Sequence, residues 1–270
     1  MMSNQASTPF AKRLEGNVAI ITGGASGIGE ATVRLFWSHG AKIVIADIQD
    51  DLGEALCKEL DENAMYVHCD VTDEEQVKKT VDLTVEKYGK LDIMHNNAGV
   101  VDFATKSILT IEKSDVEKVL GVNLIGGILG AKHAARVMVP AKKGCILFTT
   151  SSATSLACTL FHGYIASKQA LIGIMRNIAA ELGQFGIRVN SISPYVVDTN
   201  LSKTAFPHVS TDQLQALINE TANLKGAVLK AEDIARAALY LASGDAQYVS
   251  GLNLVVDGAF SITYPSVPFV

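Results

Sequence analysis

With 270 residues, 48% of them hydrophobic, the chain is large enough to bury a full core and has the length at which α/β folds stay in one domain. Its formal charge of -5 comes from 28 acidic and 23 basic residues mixed along the sequence, which leaves no basic face for phosphates and argues against nucleic acid as a partner. Four cysteines, Cys57, Cys69, Cys145 and Cys158, stand far apart without a Cys-x-x-Cys pair, and the six histidines lack ligand spacing, so neither a disulfide framework nor a metal site is expected.

Residues 1–15 read as a polar tail without the apolar run of a secretory signal or membrane span, pointing to the cytosol and to no membrane partner. The apolar run 18–21 then ends in Thr22-Gly23-Gly24, and a helical pattern over 27–39 stops at Gly40. A second run, 42–46, closes on Asp47 ahead of a helix over 52–60, and a third, 64–68, ends at Cys69-Asp70. Helix 74–88 precedes strand 91–95, helix 114–140 precedes strand 145–149, and helix 164–185 precedes strand 187–192. The stretch 200–226 breaks the rhythm, being polar with scattered Leu201, Phe206, Leu214 and Leu217, and reads as an inserted substrate lid without a clean strand and helix. Helix 232–242 and strand 253–256 complete a single domain over 16–260, followed by an irregular tail, 261–270, with Pro265 and Pro268. Short apolar strands alternating with helices predict an α/β fold, a doubly wound parallel sheet flanked by helices on both faces.

In such a sheet, ligands bind at the carboxyl ends of the strands. Gly23, Ser26, Gly27, Ile28 and Gly29 form a glycine loop where missing side chains let a pyrophosphate reach the backbone and the amino end of a helix attracts its charge. A tight turn would use the same glycines. Asp47 closes the second strand eighteen residues after Gly29, where a carboxylate accepts hydrogen bonds from ribose hydroxyls, although an ordinary capping aspartate would look alike. Neither the glycine loop nor Ile48-Gln49-Asp50 offers the Arg or Lys that an extra 2′-phosphate needs, so NAD is expected over NADP. Asp70 and Val71 after the third strand, and Asn97-Ala98-Gly99 after the fourth, stand where adenine and its ribose would lie.

Tyr164 and Lys168 are spaced i, i+4 and share one helix face. A free phenol, with a pKa of about 10, is a poor base at neutral pH, and an adjacent ammonium is expected to lower it. Thr22-Gly23-Gly24-Ala25-Ser26-Gly27-Ile28-Gly29, Asn96-Asn97-Ala98-Gly99 and Tyr164-Ile165-Ala166-Ser167-Lys168 together resemble the short-chain dehydrogenase/reductase family, in order and spacing over about residues 16–258. The resemblance implies a Rossmann-like sheet, a nicotinamide cofactor, and a catalytic set of Asn123, Ser151, Tyr164 and Lys168, with Ser152 and Ser155 as neighbours of the chosen serine. Ser151 would hold the substrate oxygen, Tyr164 would exchange the proton, Lys168 would bind the nicotinamide ribose and tune Tyr164, and Asn123 would position a water. Val197 and Thr199 match the family's nicotinamide contact, whereas Tyr195 stands where the family usually has glycine.

The expected substrate pocket, Val101, Phe103, Thr154, Leu156, Phe161, Tyr195 and Phe206, is mostly apolar and fits a small hydrophobic alcohol or ketone, with His162 either touching substrate or serving only the loop. Lys12-Arg13-Leu14-Glu15-Gly16, His133-Ala134-Ala135-Arg136-Val137-Met138 and Ser193-Pro194-Tyr195 resemble the plant branch that oxidises terpenoid and lignan alcohols such as borneol, nepetalactol and secoisolariciresinol. That branch also contains non-redox iridoid cyclases, which stay open as the alternative. The family forms homo-oligomers, tetramers or dimers, and the residues 171–180 are expected to offer an apolar small-residue surface for this.

Overall fold

The computed structural model describes residues 12–102, 107–156 and 161–263; Phe103, Cys158 and most of both tails lie outside them. Seven parallel strands, β1 (Val18–Thr22), β2 (Lys42–Asp47), β3 (Ala64–His68), β4 (Ile93–Asn96), β5 (Gly144–Thr149), β6 (Ile187–Pro194) and β7 (Asn253–Val256), form one sheet in the order β3-β2-β1-β4-β5-β6-β7. Strand order reverses between β1 and β4, which opens a crevice above their carboxyl ends.

The five central strands, β2, β1, β4, β5 and β6, bury both faces, and alternation along them sorts the core into two layers. Ala19 and Ile21 of β1 and Ile43 and Ile45 of β2 join one cluster, while Ile20, Val44 and Ala46 join the other. The first layer is covered by α1 (Gly27–Ser38), α2 (Asp50–Glu59) and α9 (Ala231–Ala242), through Val33, Phe36, Leu56, Ile234 and Leu239. The second is covered by α3 (Glu74–Tyr88), α5 (Gly126–Ala141) and α6 (His162–Leu182), through Val81, Leu129, Met138, Leu171 and Met175. This is the doubly wound arrangement that the strand and helix rhythm predicts.

Three expectations need correction. The helix expected over 114–140 is α4 (Lys113–Leu120), a π-helical turn (Gly121–Ile125) and α5. Gly121 and Gly126, poor helix formers by about 1 kcal/mol each, bracket that turn, and a Cβ on Gly126 would press on the Val71 side chain at 2.7 Å. The polar stretch expected to be irregular forms α7 (Asn200–Ala205) and α8 (Thr211–Thr221). Thr199 and Ser210 start them, each with a capping box, and Ser210-x-x-Gln213 is a start signal visible in the sequence. The surface expected over 171–180 is only partly apolar: Leu171 and Met175 face the core, Ile172, Ile174, Ile178 and Ala179 are half-buried, and exposed Arg176 and Asn177 stand among exposed Gly173 and Ala180. Among the described residues, no helix is long and apolar enough to cross a membrane.

Candidate active site

The crevice above the strand ends is a cavity of about 820 Å³ that runs from the glycine loop to α7 and α8. At its first end, β1 passes through Gly23 (φ +61) into α1. A Cβ on Gly29 would overlap the Gly23 carbonyl oxygen, so only glycine lets the first turn of α1 close against the loop. Gly29 therefore shapes the loop from behind, while Gly23, Ser26, Gly27 and Ile28 line the cavity.

Polar side chains from neighbouring strands lock this end. Asp47, 4% exposed, accepts from the Ala25 amide through Oδ2 (2.9 Å) and from the Gln49 amide (3.0 Å) and side-chain amide (3.2 Å) through Oδ1. A carboxylate has about four acceptor sites, so capacity remains for ribose hydroxyls. Thr22 Oγ1 accepts from the Asn97 and Ala98 amides at 3.0 and 3.1 Å. Asn97 Nδ2 donates to the Thr22 and Gly23 carbonyls at 3.1 and 3.2 Å, and its Oδ1 accepts from Thr149 Oγ1 at 3.0 Å. Because Thr149 spends its proton on Asn97, buried His95 donates Nε2–H to Thr149 (3.0 Å), and desolvation pulls the His95 imidazole down to about 4. Asp47, Ile48, Asp70, Val71, Asn97, Ala98 and Gly99 all line this half, as do Val197 and Thr199 from the opposite wall. The glycine cradle at the start of α1, facing a buried carboxylate, fits the pyrophosphate and ribose of a dinucleotide. Among the described residues, Lys168 is the one Lys or Arg in the cavity lining.

The reactive groups lie midway along the cavity. Ser151 follows β5 and Tyr164 stands in the first turn of α6, and both line the cavity. Lys168, one turn on, is 3% exposed; its Nζ donates to the Thr149 carbonyl at 2.8 Å and lies 5.6 Å from the Tyr164 ring centroid. Burial pulls this ammonium down to about 8. The Tyr164 phenol is not lowered as the i, i+4 pairing predicts: desolvation pushes it above the ordinary tyrosine value, and the neighbouring Ser151 only opposes that. The ammonium is directed at a backbone carbonyl, which explains the difference.

Asn123 lies behind the cavity wall, in the π-helical turn. Its Oδ1 accepts from the Val100 amide (2.8 Å), and its Nδ2 donates to the Val100 carbonyl (2.9 Å) and to Ser167 Oγ (3.0 Å), which donates to the Tyr164 carbonyl (2.6 Å). These bonds make Asn123 a brace between the segment after β4 and α6.

Beyond Tyr164 the lining becomes apolar. Val101, Leu156, Phe161, Tyr195 and Phe206 line it as expected, with Phe161 and Phe206 packed edge to face at 5.8 Å. Thr154 does not line the cavity: it is buried, its hydroxyl donates to the Ser151 carbonyl at 2.6 Å, and its carbonyl accepts from Gln169. His162, the first residue of α6, is also absent from the lining. Sequence reasoning named Leu214 and Leu217 only as scattered apolar residues of the 200–226 stretch and left them, with Ile218 and Thr221 of α8 and with Phe260, out of the pocket. The capping box at Ser210 would have found α8, and the helical spacing of those four residues its inner face. Tyr195 stacks on Phe260 (4.3 Å), and Thr221 Oγ1 donates to the Leu217 carbonyl (2.7 Å), so the Tyr195 hydroxyl donates to Thr221 at 2.6 Å.

Comparison with known proteins places this geometry in context. The profile of the family described as enoyl-(acyl carrier protein) reductase matches residues 23–261. The chain is 57% identical to short chain aldehyde dehydrogenase 1 of Euphorbia lathyris, over 96% of its own length and 92% of that protein. It is 54% identical to (+)-borneol dehydrogenase 1 of Salvia officinalis, over 96% and 99% of the two chains. Among solved structures it is similar to 3-ketoacyl-(acyl-carrier-protein) reductase from Brucella melitensis complexed with NADH, with a TM-score of 0.85 and 29% identity over 92% of this chain and 99% of that one.

Proposed function

Because the chain belongs to the short-chain dehydrogenase/reductase family, we propose that it uses NAD to interconvert a hydrophobic secondary alcohol and its carbonyl product. The observation that carries this reading is the Ser151–Tyr164–Lys168 array, set between a dinucleotide-shaped cradle and an apolar chamber in one cavity. When bound, the nicotinamide supplies hydride acceptance and donation. The protein's own groups handle the proton and the orientation. Ser151 and Tyr164 line the same cavity, where the oxygen of an alcohol would rest between them, and Tyr164 takes its proton. That proton transfer needs the phenol to be ionised against the desolvation that holds it up, and a cation on the same helix face, Lys168, stands 5.6 Å from the ring centroid.

NAD is favoured by the buried Asp47 carboxylate at the end of β2 and by the lack of a cation near it in the described lining. The chamber offers apolar walls, and its Tyr195 and Thr221 hydroxyls satisfy each other, so a substrate with one reactive oxygen on a bulky hydrocarbon frame fits best. The relative named for (+)-borneol supports a terpenoid alcohol of that kind. Free thiols at Cys57, Cys69 and Cys145 fit a reducing compartment, for which we take the cytosol. A homo-oligomer, dimer or tetramer, is in keeping with exposed Tyr248, Leu252 and Val255 beside the edge strand β7.

The test is NADH absorbance while purified protein meets NAD and borneol, nepetalactol or a lignan diol, with Tyr164→Phe as control. NADH growth with one alcohol, reduced roughly 1,000-fold in the variant as expected for loss of the proton shuttle, supports the reading. Absence of NADH with every alcohol, while a reactive iridoid enol still closes to a bicyclic product, would sink it.

A further inference from the structure

Helix α6 carries both Tyr164 and Lys168, yet it does not cap itself. Phe161 occupies the N-cap position in the left-handed region (φ +60), and its side chain accepts no hydrogen bond. The first intrahelical bond runs from the Ile165 amide to the Phe161 carbonyl (2.9 Å), so the amides of His162, Gly163 and Tyr164 precede the ladder. A capping side chain ordinarily serves the second and third of these positions. Here both are served from another part of the chain: Asp102 Oδ2 accepts from the Gly163 amide at 3.1 Å and Oδ1 from the Tyr164 amide at 3.3 Å.

Asp102 is 3% exposed and follows Val100, which Asn123 braces, and Val101, which lines the substrate chamber. A Cβ on Gly163 would sit 3.3 Å from Asp102 Oδ2, so the small residue gives the carboxylate room. A buried anion at the positive end of a helix, held by two backbone donors, fixes that end in two directions at once.

We propose that Asp102 is a positioning residue, which caps α6 from the segment after β4 and thereby sets the backbone of Tyr164 against the wall on which substrate rests. The inference rests on the dehydrogenase reading only in taking turnover as the measure of Tyr164 placement. Loss of the cap lets the first turn fray, and a shift of about 1 Å in a reacting group costs on the order of 100-fold in rate.

The full-length Asp102→Ala and Asp102→Asn variants test this by amide hydrogen exchange across the start of α6, NADH fluorescence titration, and kinetics with the best alcohol of the wild type. In Asp102→Ala, the Gly163 and Tyr164 amides should exchange faster and kcat should fall roughly 100-fold, while the NADH Kd stays within about twofold because the glycine cradle is untouched. Asp102→Asn keeps one side-chain oxygen and should recover kcat to within about tenfold of wild type. Unchanged exchange at Gly163 and Tyr164, unchanged kcat, or an Asn variant as slow as Ala would each overturn the proposal. If Asp102→Ala does not fold, the Asn variant decides, since it should fold and still show faster exchange at one of the two amides. A wild type that oxidises no alcohol would defeat the dehydrogenase reading, and the exchange measurement would still decide whether Asp102 holds the helix start.

Discussion

At the cofactor end of the cavity the wall is backbone and short polar side chains, tied by hydrogen bonds among adjacent strands, whereas at the lid end it is large apolar side chains delivered from segments far apart in sequence. Thr22, Asp47, Asn97 and Thr149 each make at least two bonds that fix a loop. Phe161, Tyr195, Phe206, Leu214 and Phe260 meet through ring packing, hydrocarbon contact and one exposed hydrogen bond. Hydrogen bonds demand geometry, while apolar packing tolerates exchange at similar volume. The first end is therefore suited to one invariable ligand, and the second to adjustment of substrate shape.

This contrast yields tests of decreasing size. The largest concerns His95, which anchors the polar network. Its imidazole titrates near 4 when folded and near 6.5 when unfolded, so the unfolded chain binds the extra proton and stability is lost as pH falls from 6.5 towards 4. The loss approaches roughly 3 kcal/mol, read as the change in urea midpoint across a pH series, and His95→Gln should flatten that slope. A chain equally sensitive with glutamine there would show that another group governs acid lability.

Next, Gly29→Ala forces a methyl onto the Gly23 carbonyl and should weaken NADH binding about 100-fold by fluorescence titration, because the cradle must move by a large part of an ångström. Binding within twofold of wild type would mean that the loop adapts as freely as the lid. Tyr195→Gly removes the ring that spans β6, α8 and Phe260, and should change KM for the preferred alcohol about tenfold, the worth of a modest apolar contact, with the NADH Kd unaltered. Thr221→Ala takes only the acceptor of the Tyr195 hydroxyl and should move KM about threefold, as an exposed neutral hydrogen bond of roughly 0.5–1.5 kcal/mol allows. If it matches Tyr195→Gly, the hydrogen bond and not the ring shapes the chamber.

The same contrast explains what could be read from residues alone. The glycine loop, Asp47, Asn97 and the Tyr164/Lys168 pair lie in short windows at the ends of apolar runs, so periodicity and chain order locate them before any coordinates. The lid was legible only as an interruption, since its helices are short and polar and their capping residues sit among other serines and threonines. Thr154 was misplaced because the 3-10 turn Ser152–Ser155 rotates it towards the Ser151 carbonyl, a choice that pattern does not encode. Asp102 offered no local sign, as the amides it caps lie sixty-one and sixty-two positions further along the chain.

By itself, the sequence determined the doubly wound parallel sheet, the crevice at its strand ends and the polar groups that line the cofactor side, because hydrophobic period and glycine geometry act within a few residues. Only the tertiary structure decided which way Lys168 points, that Asn123 braces Val100, that Asp102 caps α6 and that Tyr195 clasps α8. Each of these depends on hydrogen bonds or ring contacts between segments that folding alone brings together, and on the desolvation that holds the Tyr164 phenol up and the Lys168 ammonium down.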